Sequence, residues 1–347
     1  MVKTFEVRNV HDAFLQAMDD FTWEHNVDVQ ESRAGRTLEF DGPVVTTYLN
    51  PCERVLFLPE RDANPFFHFM EGLWMLNGEE RLDFLMHYNK GMEKFSDNGK
   101  TLNGAYGYRW KRFFTKNQLD VIVKRLKADP NDRRCVLTMW DCDKDLDRET
   151  LDTPCNTHIY FKIRKGKLNM TVCCRSNDAI WGAYGANVVH FSMLQEYMAG
   201  KIGVDVGVYN QVSDSLHVYE DLFDKLKEKL PDFDFYSTKY PIVGNPYVHL
   251  KPYPMMSSPE DFDRDLELWF DGVEHGFANP FFDNVVLPIY HAWEEHKNKN
   301  TLGAIGILKA YCKADDWRNA CVQWLERRQK GVSPIKDTEA VIGEINE

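Results

Sequence analysis

The sequence lacks long apolar runs, paired-cysteine motifs and an excess of positive charge. No run approaches the ~18 apolar residues that a membrane-spanning helix needs, so we predict no transmembrane segment. The formal net charge of -12 argues against a general nucleic-acid or anionic-membrane surface, since both need a basic field. A small anionic substrate remains possible where a few arginines converge.

The eight cysteines form no Cys-x-x-Cys pair and no regular framework. Cys173 and Cys174 are adjacent in a predicted strand, where neighbouring side chains point to opposite faces, so they favour no metal site. The first residues show no charged and then apolar leader pattern. We therefore predict free thiols, a reducing cytoplasmic location and no bound metal.

Hydrophobic patterning alternates between strand-like and helix-like segments, without repeats or low-complexity stretches. The 347 residues with 43% hydrophobic content suffice for one large domain or two ordinary ones. Gly200 is expected just past the end of the helix predicted at residues 187–199. Predicted strands span residues 135–140, 158–163, 168–174 and 204–212, and predicted helices span residues 64–76 and 187–199.

The character of the chain changes at Ser258-Pro259, which has the form of a helix start with a cap and a first-turn proline. Helical patterns continue from there to Gly331. We predict an α+β catalytic domain at residues 1–255, a helical region packed on it at 256–331, and a C-terminal tail at 332–347.

Glu71 lies in the middle of the predicted helix 64–76, which is apolar on nearly all sides. A bare buried carboxylate costs several kcal/mol, so Glu71 must be paired, hydrated in a cleft or shifted in pKa if it is buried. Periodicity alone equally allows a position on one solvated edge of the helix.

Cys155 follows Pro154 and precedes a predicted strand, a place that suits an exposed nucleophile. Cysteine reacts as the thiolate and therefore needs a cation or base nearby. A buried structural cysteine is the alternative. Three histidines could act as the catalytic partner, but none has a spacing from Cys155 that is diagnostic of such a pair: His158, His190 and His217.

Several motifs, in this order and spacing, resemble the thymidylate synthases and the related pyrimidine nucleotide hydroxymethylases. The likeness covers roughly residues 20–250. The matching pieces are Glu71-Gly-Leu-Trp74, Asn103-Gly-Ala-Tyr106, Arg133-Arg134 before a strand, Pro154-Cys155, Arg175-Ser176-x-Asp178, Gly182 with Asn187 at a helix start, and His217-x-Tyr219.

The resemblance implies an α+β sandwich with a large mixed β-sheet, helices on one face and a dimer formed through the other. It also implies a cysteine nucleophile that attacks C6 of a deoxypyrimidine monophosphate, so that C5 accepts the one-carbon unit of 5,10-methylenetetrahydrofolate. A homodimer follows, because in this family two phosphate-binding arginines come from the partner subunit.

Individual roles also follow from the resemblance. Cys155 is the nucleophile, while Glu71 organises water and protons and Tyr106 assists removal of the C5 proton. The expected substrate contacts are Arg33 or Arg36, Arg175, Ser176, and the partner's Arg133 and Arg134 for the phosphate, Asn187 for the base, His217 and Tyr219 for the sugar, and Asp178 for the folate.

Two departures from the synthase pattern bear on the reaction. Asn156 replaces the histidine after the nucleophile, and Met92 stands where synthases have a tryptophan that shields the methylene intermediate. A narrower Met92 leaves room for water, so we favour a 5-hydroxymethyl product over a methyl product. The Asn187 amide offers both a donor and an acceptor to the edge of uracil, so we favour dUMP over dCMP as substrate. A true thymidylate synthase and a catalytically silent nucleotide-binding relative remain alternatives.

Overall fold

Eight strands form one mixed β-sheet within the residues that the computed structural model describes, which are 1–23, 27–32, 35–230 and 245–331. The strands are β1 (Lys3–Val7), β2 (Val27–Ser32), β3 (Gly35–Phe40), β4 (Val44–Tyr48), β5 (Val136–Thr138), β6 (Asn156–Arg164), β7 (Lys167–Asp178) and β8 (Asp205–Tyr219). The predicted α+β class with a large mixed sheet is confirmed.

The long strand β8 joins the two halves of this sheet. The strand order is β1-β4-β8-β7-β6-β5, with β3 paired to the last residues of β8 and β2 paired to β3. Strand β8 runs parallel to β7 and antiparallel to β4 and β3. The carboxyl ends of β7 and β8 therefore lie side by side, next to β3.

Helices of very different length surround the sheet. Proline opens two of the longer ones at the position where its missing N–H costs nothing. Within the described residues, the α-helices are α1 (Val10–Phe21), α2 (Pro65–Asn77), α3 (Leu82–Tyr88), α4 (Tyr106–Tyr108), α5 (Gln118–Ala128), α6 (Cys142–Asp145), α7 (Asn187–Ile202), α8 (Glu220–Lys229), α9 (Pro259–Phe270), α10 (Leu287–Lys297), α11 (Thr301–Tyr311) and α12 (Asp315–Gln329).

Helix α7 packs on β7 and β8 and covers one face of the sheet. Along β7, Met170 and Val172 are buried while Thr171 and Cys173 are only half-buried. This alternation is what a strand with a single face on the core produces. The second face keeps partly exposed side chains, including Tyr160, which is 44% exposed.

Helices α10 and α12 pack against α2 through aromatic side chains. The ring of Phe66 lies 5.3 Å from that of Trp293 and 5.6 Å from that of Trp324. The same hydrophobic core includes residues of the sheet, α2 and the C-terminal helices. The division of the chain at residue 255 stays a prediction, and the tail at 332–347 lies outside the described residues.

Several predicted element ends are wrong, for local physical reasons. Helix α7 continues past Gly200 and ends at Gly203, which has a left-handed φ of 89°. Gly200 lies inside the helix, where a Cβ would approach Met256 Sδ to 2.6 Å. The strand predicted at 204–212 extends to Tyr219, because β8 finds a second antiparallel partner in β3.

The strand predicted at 135–140 is shortened to β5, because Met139 and Trp140 both donate their backbone N–H to Thr157 O. A hairpin turn joins the antiparallel strands β6 and β7. Lys165 and Gly166 have φ values of 52° and 73°, as a tight two-residue hairpin turn requires. Residues 64–76 are confirmed as helix α2, with Asn64 as its N-cap.

Candidate active site

Cys155 lies immediately before β6, in a loop that Arg175 holds in place. The Arg175 guanidinium donates to Pro154 O at 3.1 Å and to Thr153 O at 3.0 Å, and its Nη2 lies 3.9 Å from Cys155 Sγ. The backbone N–H of Arg175 also donates to Cys155 O at 2.9 Å. The cation therefore fixes the loop and sits beside the sulfur, as a cysteine nucleophile requires.

Burial and the positive charge of Arg175 have opposite effects on the pKa of the Cys155 thiol. Burial raises the pKa of Cys155 and is the dominant effect, while the Arg175 guanidinium lowers it and the Asp152 carboxyl raises it. The thiol is consequently not a free thiolate in this state. A bound phosphate or base changes that balance by altering the solvation and the neighbouring charges.

Asp152 ties the loop before Cys155 to the segment that carries Tyr106. Its Oδ2 accepts a hydrogen bond from Gly104 N at 2.7 Å, and its backbone oxygen accepts from Asn103 Nδ2 at 3.0 Å. Burial raises the pKa of Asp152 to about 6. Sequence reasoning missed this residue, which carries no motif signal.

Tyr106 stands directly over the start of β6. Its hydroxyl accepts a hydrogen bond from Asn156 N at 3.4 Å, and its ring stacks on Phe191 of α7 with centroids 5.7 Å apart. Burial raises the pKa of Tyr106 well above its usual value, with a further contribution from Cys155. Tyr106 therefore remains a neutral phenol that can donate a proton or relay one.

Asn156 is fully buried behind the nucleophile. Its Nδ2 donates to Cys173 O at 2.8 Å, while its Oδ1 has no hydrogen-bond partner among the described residues. It faces Cys174 in the strand register, so an uncharged amide and a thiol lie opposite each other behind the nucleophile. The side chain braces β6 against β7.

Glu71 is buried and faces α7, so the alternative of a solvated edge is wrong. Its carboxylate is 9% exposed, and Oε2 lies 2.8 Å from Nε2 of His190. The two atoms are close, but their orientation does not meet the angles of a hydrogen bond, so neither has a directed partner among the described residues.

Gly72 lies where α2 and α7 are in contact. A Cβ at Gly72 would lie 2.4 Å from Met193 Sδ, so the missing side chain leaves room for the Met193 thioether between the two helices. Gly72 directly follows Glu71, and Met193 lies three residues after His190. The helix crossing thus places the carboxylate against the imidazole.

Asn187 belongs to a chain of hydrogen bonds that fixes its amide. Its Nδ2 donates to Asn177 Oδ1 at 2.9 Å, and Asn177 Nδ2 donates to Ser213 Oγ at 3.0 Å. Gly182 makes room for this arrangement, since a Cβ there would lie 2.8 Å from Asn177 Oδ1. Asn187 Oδ1 is left as the acceptor that a ligand can meet.

The π-helical segment Ala179–Ala186 leads from β7 into α7. Gly185 has φ and ψ of -117° and -109°, a conformation outside the helical range. The buried Arg61 guanidinium packs over the Trp181 ring at 4.1 Å and donates from Nε to Ile180 O at 2.9 Å. Arg61 was not predicted to belong to the site.

Asp178 begins this segment and accepts the Trp181 N–H through Oδ1. Burial raises the pKa of Asp178, while His217 and Arg61 lower it. Its Oδ2 has no hydrogen-bond partner among the described residues. A buried acceptor of this kind fits the N–H edge of a pterin-like ring.

Strand register brings the other predicted nucleotide contacts to the same edge of the sheet. Asp178 is opposite His217, and Ser176 is opposite Ser215. The imidazole of His217 lies 3.3 Å from Ser215 Oγ, and its ring meets that of Tyr219 edge-on at 5.6 Å. These side chains therefore line one end of β7 and β8.

Arg36 is close to this edge, because the next residue of β3 pairs with Tyr219. Its Nη1 lies 3.1 Å from Glu220 Oε2, so a phosphate must compete with that carboxylate. Arg33, the alternative to Arg36, lies outside the described residues.

Arg133 and Arg134 are not brought to Cys155 within the subunit. They precede β5, whose far end pairs with His158, and Arg134 is bound to Asp132 with Nε–Oδ1 at 3.0 Å. Met92 lies half-buried in the short 3-10 helix Lys90–Phe95 and packs on the core. The roles of these three residues stay predictions.

In the described part of the chain, no helix is long and apolar enough to cross a membrane. The same ranges contain no group of three His, Cys, Asp or Glu side chains placed to hold a metal ion.

Comparison with known proteins agrees with the fold. The thymidylate synthase family model matches residues 58–244. The deoxyuridylate hydroxymethyltransferase of Pseudomonas phage M6 is 42% identical over 340 residues, which cover 94% of this chain and 95% of that protein. The protein of the same name from Bacillus phage SP01 is 40% identical over 256 residues, covering 69% and 67%.

A putative thymidylate synthase of Methanosarcina acetivorans is 28% identical over 226 residues, covering 65% of this chain and 93% of that protein. The fold and the cysteine-centred site define an enzyme that modifies a pyrimidine nucleotide at C5. The chain belongs to the thymidylate synthase family, whose enzymes use methylenetetrahydrofolate.

Proposed function

We propose that this chain is a folate-dependent hydroxymethyltransferase that acts on C5 of dUMP. The observation that carries the proposal is the 42% identity to a deoxyuridylate hydroxymethyltransferase over 94% of the chain. The geometry supports it, because Cys155 stands beside Arg175 and Glu71 lies buried on a neighbouring helix.

The chain of hydrogen bonds that fixes the Asn187 amide supports uracil as the base. Uracil presents an N3–H donor beside the O4 acceptor, which matches the free Oδ1 and the remaining Nδ2 proton of Asn187. Cytosine presents the reverse pattern at these positions. A flipped Asn187 would break its hydrogen bond to Asn177 and leave buried polar groups unpaired, which is costly.

The nucleotide phosphate would bind at Arg175 and Ser176, with Arg36 from β3 and with Arg133 and Arg134 of a second subunit. The exposed Arg175 presents its guanidinium at the mouth of the site, where bidentate contact with a phosphate is possible. His217 and Tyr219 at the end of β8 would bind the sugar hydroxyl. We infer a homodimer from this division of the phosphate site.

The chain's own residues then carry the chemistry. Cys155 forms a C–S bond to C6, and the electron pair moves to C5, which bonds to the one-carbon unit. Loss of the C5 proton and of the folate nitrogen leaves a methylene on C5. A water oxygen adds to that carbon and gives its proton to Glu71, and rupture of the C6–S bond restores the C5=C6 double bond and the thiolate.

Methylenetetrahydrofolate supplies the one-carbon unit when it is bound. Asp178 fits its ring, because the buried Oδ2 lacks a partner among the described residues. Met92 would lie near the reacting carbon, where its flexible chain excludes water less completely than a tryptophan does. Water rather than hydride therefore reaches the methylene.

The test incubates the protein with methylenetetrahydrofolate and either dUMP or dCMP, and follows the nucleotide by mass spectrometry and dihydrofolate by absorbance. We expect 5-hydroxymethyl-dUMP, tetrahydrofolate and a higher kcat/KM for dUMP than for dCMP. Stoichiometric dihydrofolate with a methylated product would make the chain a thymidylate synthase, and a preference for dCMP would reverse the base assignment.

Cys155→Ala is the control variant. It should abolish turnover and leave dUMP binding within about tenfold, because the phosphate and sugar contacts are separate from the sulfur. If the unmodified protein releases no tritium from C5-labelled dUMP, it is a catalytically silent relative instead.

A further inference from the structure

His190 has features of a functional group rather than of a structural histidine. It is 3% exposed, yet neither ring nitrogen has a directed hydrogen-bond partner among the described residues. Its closest charged neighbour is Glu71 Oε2, at 2.8 Å from Nε2. Buried polar atoms are normally satisfied, so a group of three such atoms requires an explanation.

The position of His190 on α7 directs it towards the reacting base. It lies three residues after Asn187, and residues at this spacing share a helix face. The next residue, Phe191, stacks on Tyr106, whose hydroxyl contacts the residue after Cys155. The first turns of α7 thus carry the predicted base contact Asn187, His190 on the same face, and the support of Tyr106.

The packing of α2 against α7 places His190 against Glu71. Gly72, next to the carboxylate, leaves room for the side chain of Met193, which lies three residues after His190. Oε2 and Nε2 contact each other at 2.8 Å, whereas His190 Nδ1 has no hydrogen-bond partner among the described residues. A water bound at this pair would find in the two side chains two of the two to four polar partners that it needs.

We propose that His190 is a positioning residue that, together with Glu71, holds the water that adds to the C5 methylene. The inference rests on the proposed function and deepens it, because it names what directs the intermediate to water. In this step the water oxygen forms the C–O bond to the methylene, its proton passes to Glu71, and the electron pair moves through C5 to expel the Cys155 sulfur from C6. His190 hydrogen-bonds the water and keeps Glu71 oriented.

The test compares His190→Ala and His190→Gln with the unmodified protein. In His190→Ala, we expect formation of 5-hydroxymethyl-dUMP to fall by about 100-fold, the lower end of the range for positioned proton transfer. In single turnovers, with the enzyme in excess over the nucleotide, tritium release from C5-labelled dUMP should change by less than about threefold, as should the Kd for dUMP, since both precede water addition. Added 2-mercaptoethanol should then capture the methylene as a thioether.

His190→Gln should recover part of the hydroxymethylation, because an amide can still hold a water. His291→Ala, which removes a partly exposed histidine on α10, is the matched control and should behave as the unmodified protein. A parallel fall of tritium release and hydroxymethylation in both His190 variants would assign His190 a structural role and overturn the proposal. Hydroxymethylation within threefold of normal in His190→Ala would also overturn it, whereas a methylated product from the unmodified protein would refute the proposed function instead.

Discussion

At the scale of single residues, Arg175 has two separable effects on the nucleophile. Its hydrogen bonds to the carbonyls of Thr153 and Pro154 fix the loop, and its positive charge lowers the pKa of Cys155 against the opposing effect of burial. Lysine keeps the charge but cannot make the same forked contacts. Substitutions at this position can therefore distinguish the effect of the charge on the Cys155 pKa from the effect of the hydrogen bonds on the loop.

We predict that Arg175→Gln slows alkylation of Cys155 by iodoacetamide several-fold at pH 7.5. Loss of the cation raises the pKa of Cys155, so less thiolate is present at that pH, and the difference should vanish at a pH above the pKa of both forms. Peptide mass spectrometry measures the rate at Cys155, with the exposed Cys142 as an internal control. An unchanged rate would show that burial alone sets the reactivity of the thiol.

Three residues show what sequence reasoning could and could not predict at this scale. The proximity of Cys155 to Arg175 was predictable, because the two motifs belong to one family pattern. The involvement of His190 was in principle predictable from its spacing after Asn187 on a predicted helix. Arg61 was not, because its contact with the Ala179–Ala186 segment depends on tertiary packing between parts of the chain that are far apart in sequence.

At the scale of elements, helix α12 holds the loop that carries Arg61. Asp62 has a φ of 48°, in the left-handed region that few side chains adopt. Its Oδ1 accepts from Arg327 Nε at 3.0 Å and its Oδ2 accepts from Arg328 Nη2 at 2.6 Å. The helical region that follows residue 256 thus fixes a segment next to the candidate site.

We predict that Asp62→Ala destabilises the protein by about 3 kcal/mol, because it leaves two largely buried arginines without their partner. The Asp62 side chain is 5% exposed, and those of Arg327 and Arg328 are 17% and 27% exposed. Asp62→Asn should cost less, since asparagine tolerates the left-handed backbone. Chemical denaturation measures both changes.

The matched control is Lys309→Ala. Lys309 pairs with Glu326 of α12 at 3.6 Å, but the two side chains are 59% and 42% exposed. Removal of this pair should change stability by less than about 0.5 kcal/mol. Equal losses in Asp62→Ala and Lys309→Ala would refute the special role of Asp62.

The element ends that sequence patterns predicted wrongly depend on contacts between distant segments. The continuation of β8 to Tyr219 follows its pairing with β3, and Gly200 lies inside α7 where the side chain of Met256 packs against it. Hydrophobic periodicity reports which face of an element is buried, but it does not report which neighbour covers the last turn or the last pair of a strand.

At the scale of the whole molecule, the two faces of the sheet differ. Helix α7 covers one face, while the other presents half-buried residues of β4, β7 and β8, including Val45, Cys173 and Val212, which lie side by side in the strand register. A mixed sheet with one partly exposed apolar face is suited to pairing with a second copy. Arg134, remote from Cys155 within the subunit, would then reach the partner's site.

We predict that two inactive variants, Cys155→Ala and Arg134→Ala, regain activity when they are mixed and allowed to exchange subunits. Random pairing makes half of the dimers hybrids, and each hybrid has one site with an intact cysteine and an intact partner arginine, so about 25% of normal activity should return. Val212→Glu places a charge on the paired face and should yield inactive monomers in analytical ultracentrifugation. No recovery on mixing, together with an active Val212→Glu monomer, would show that each subunit completes its own phosphate site.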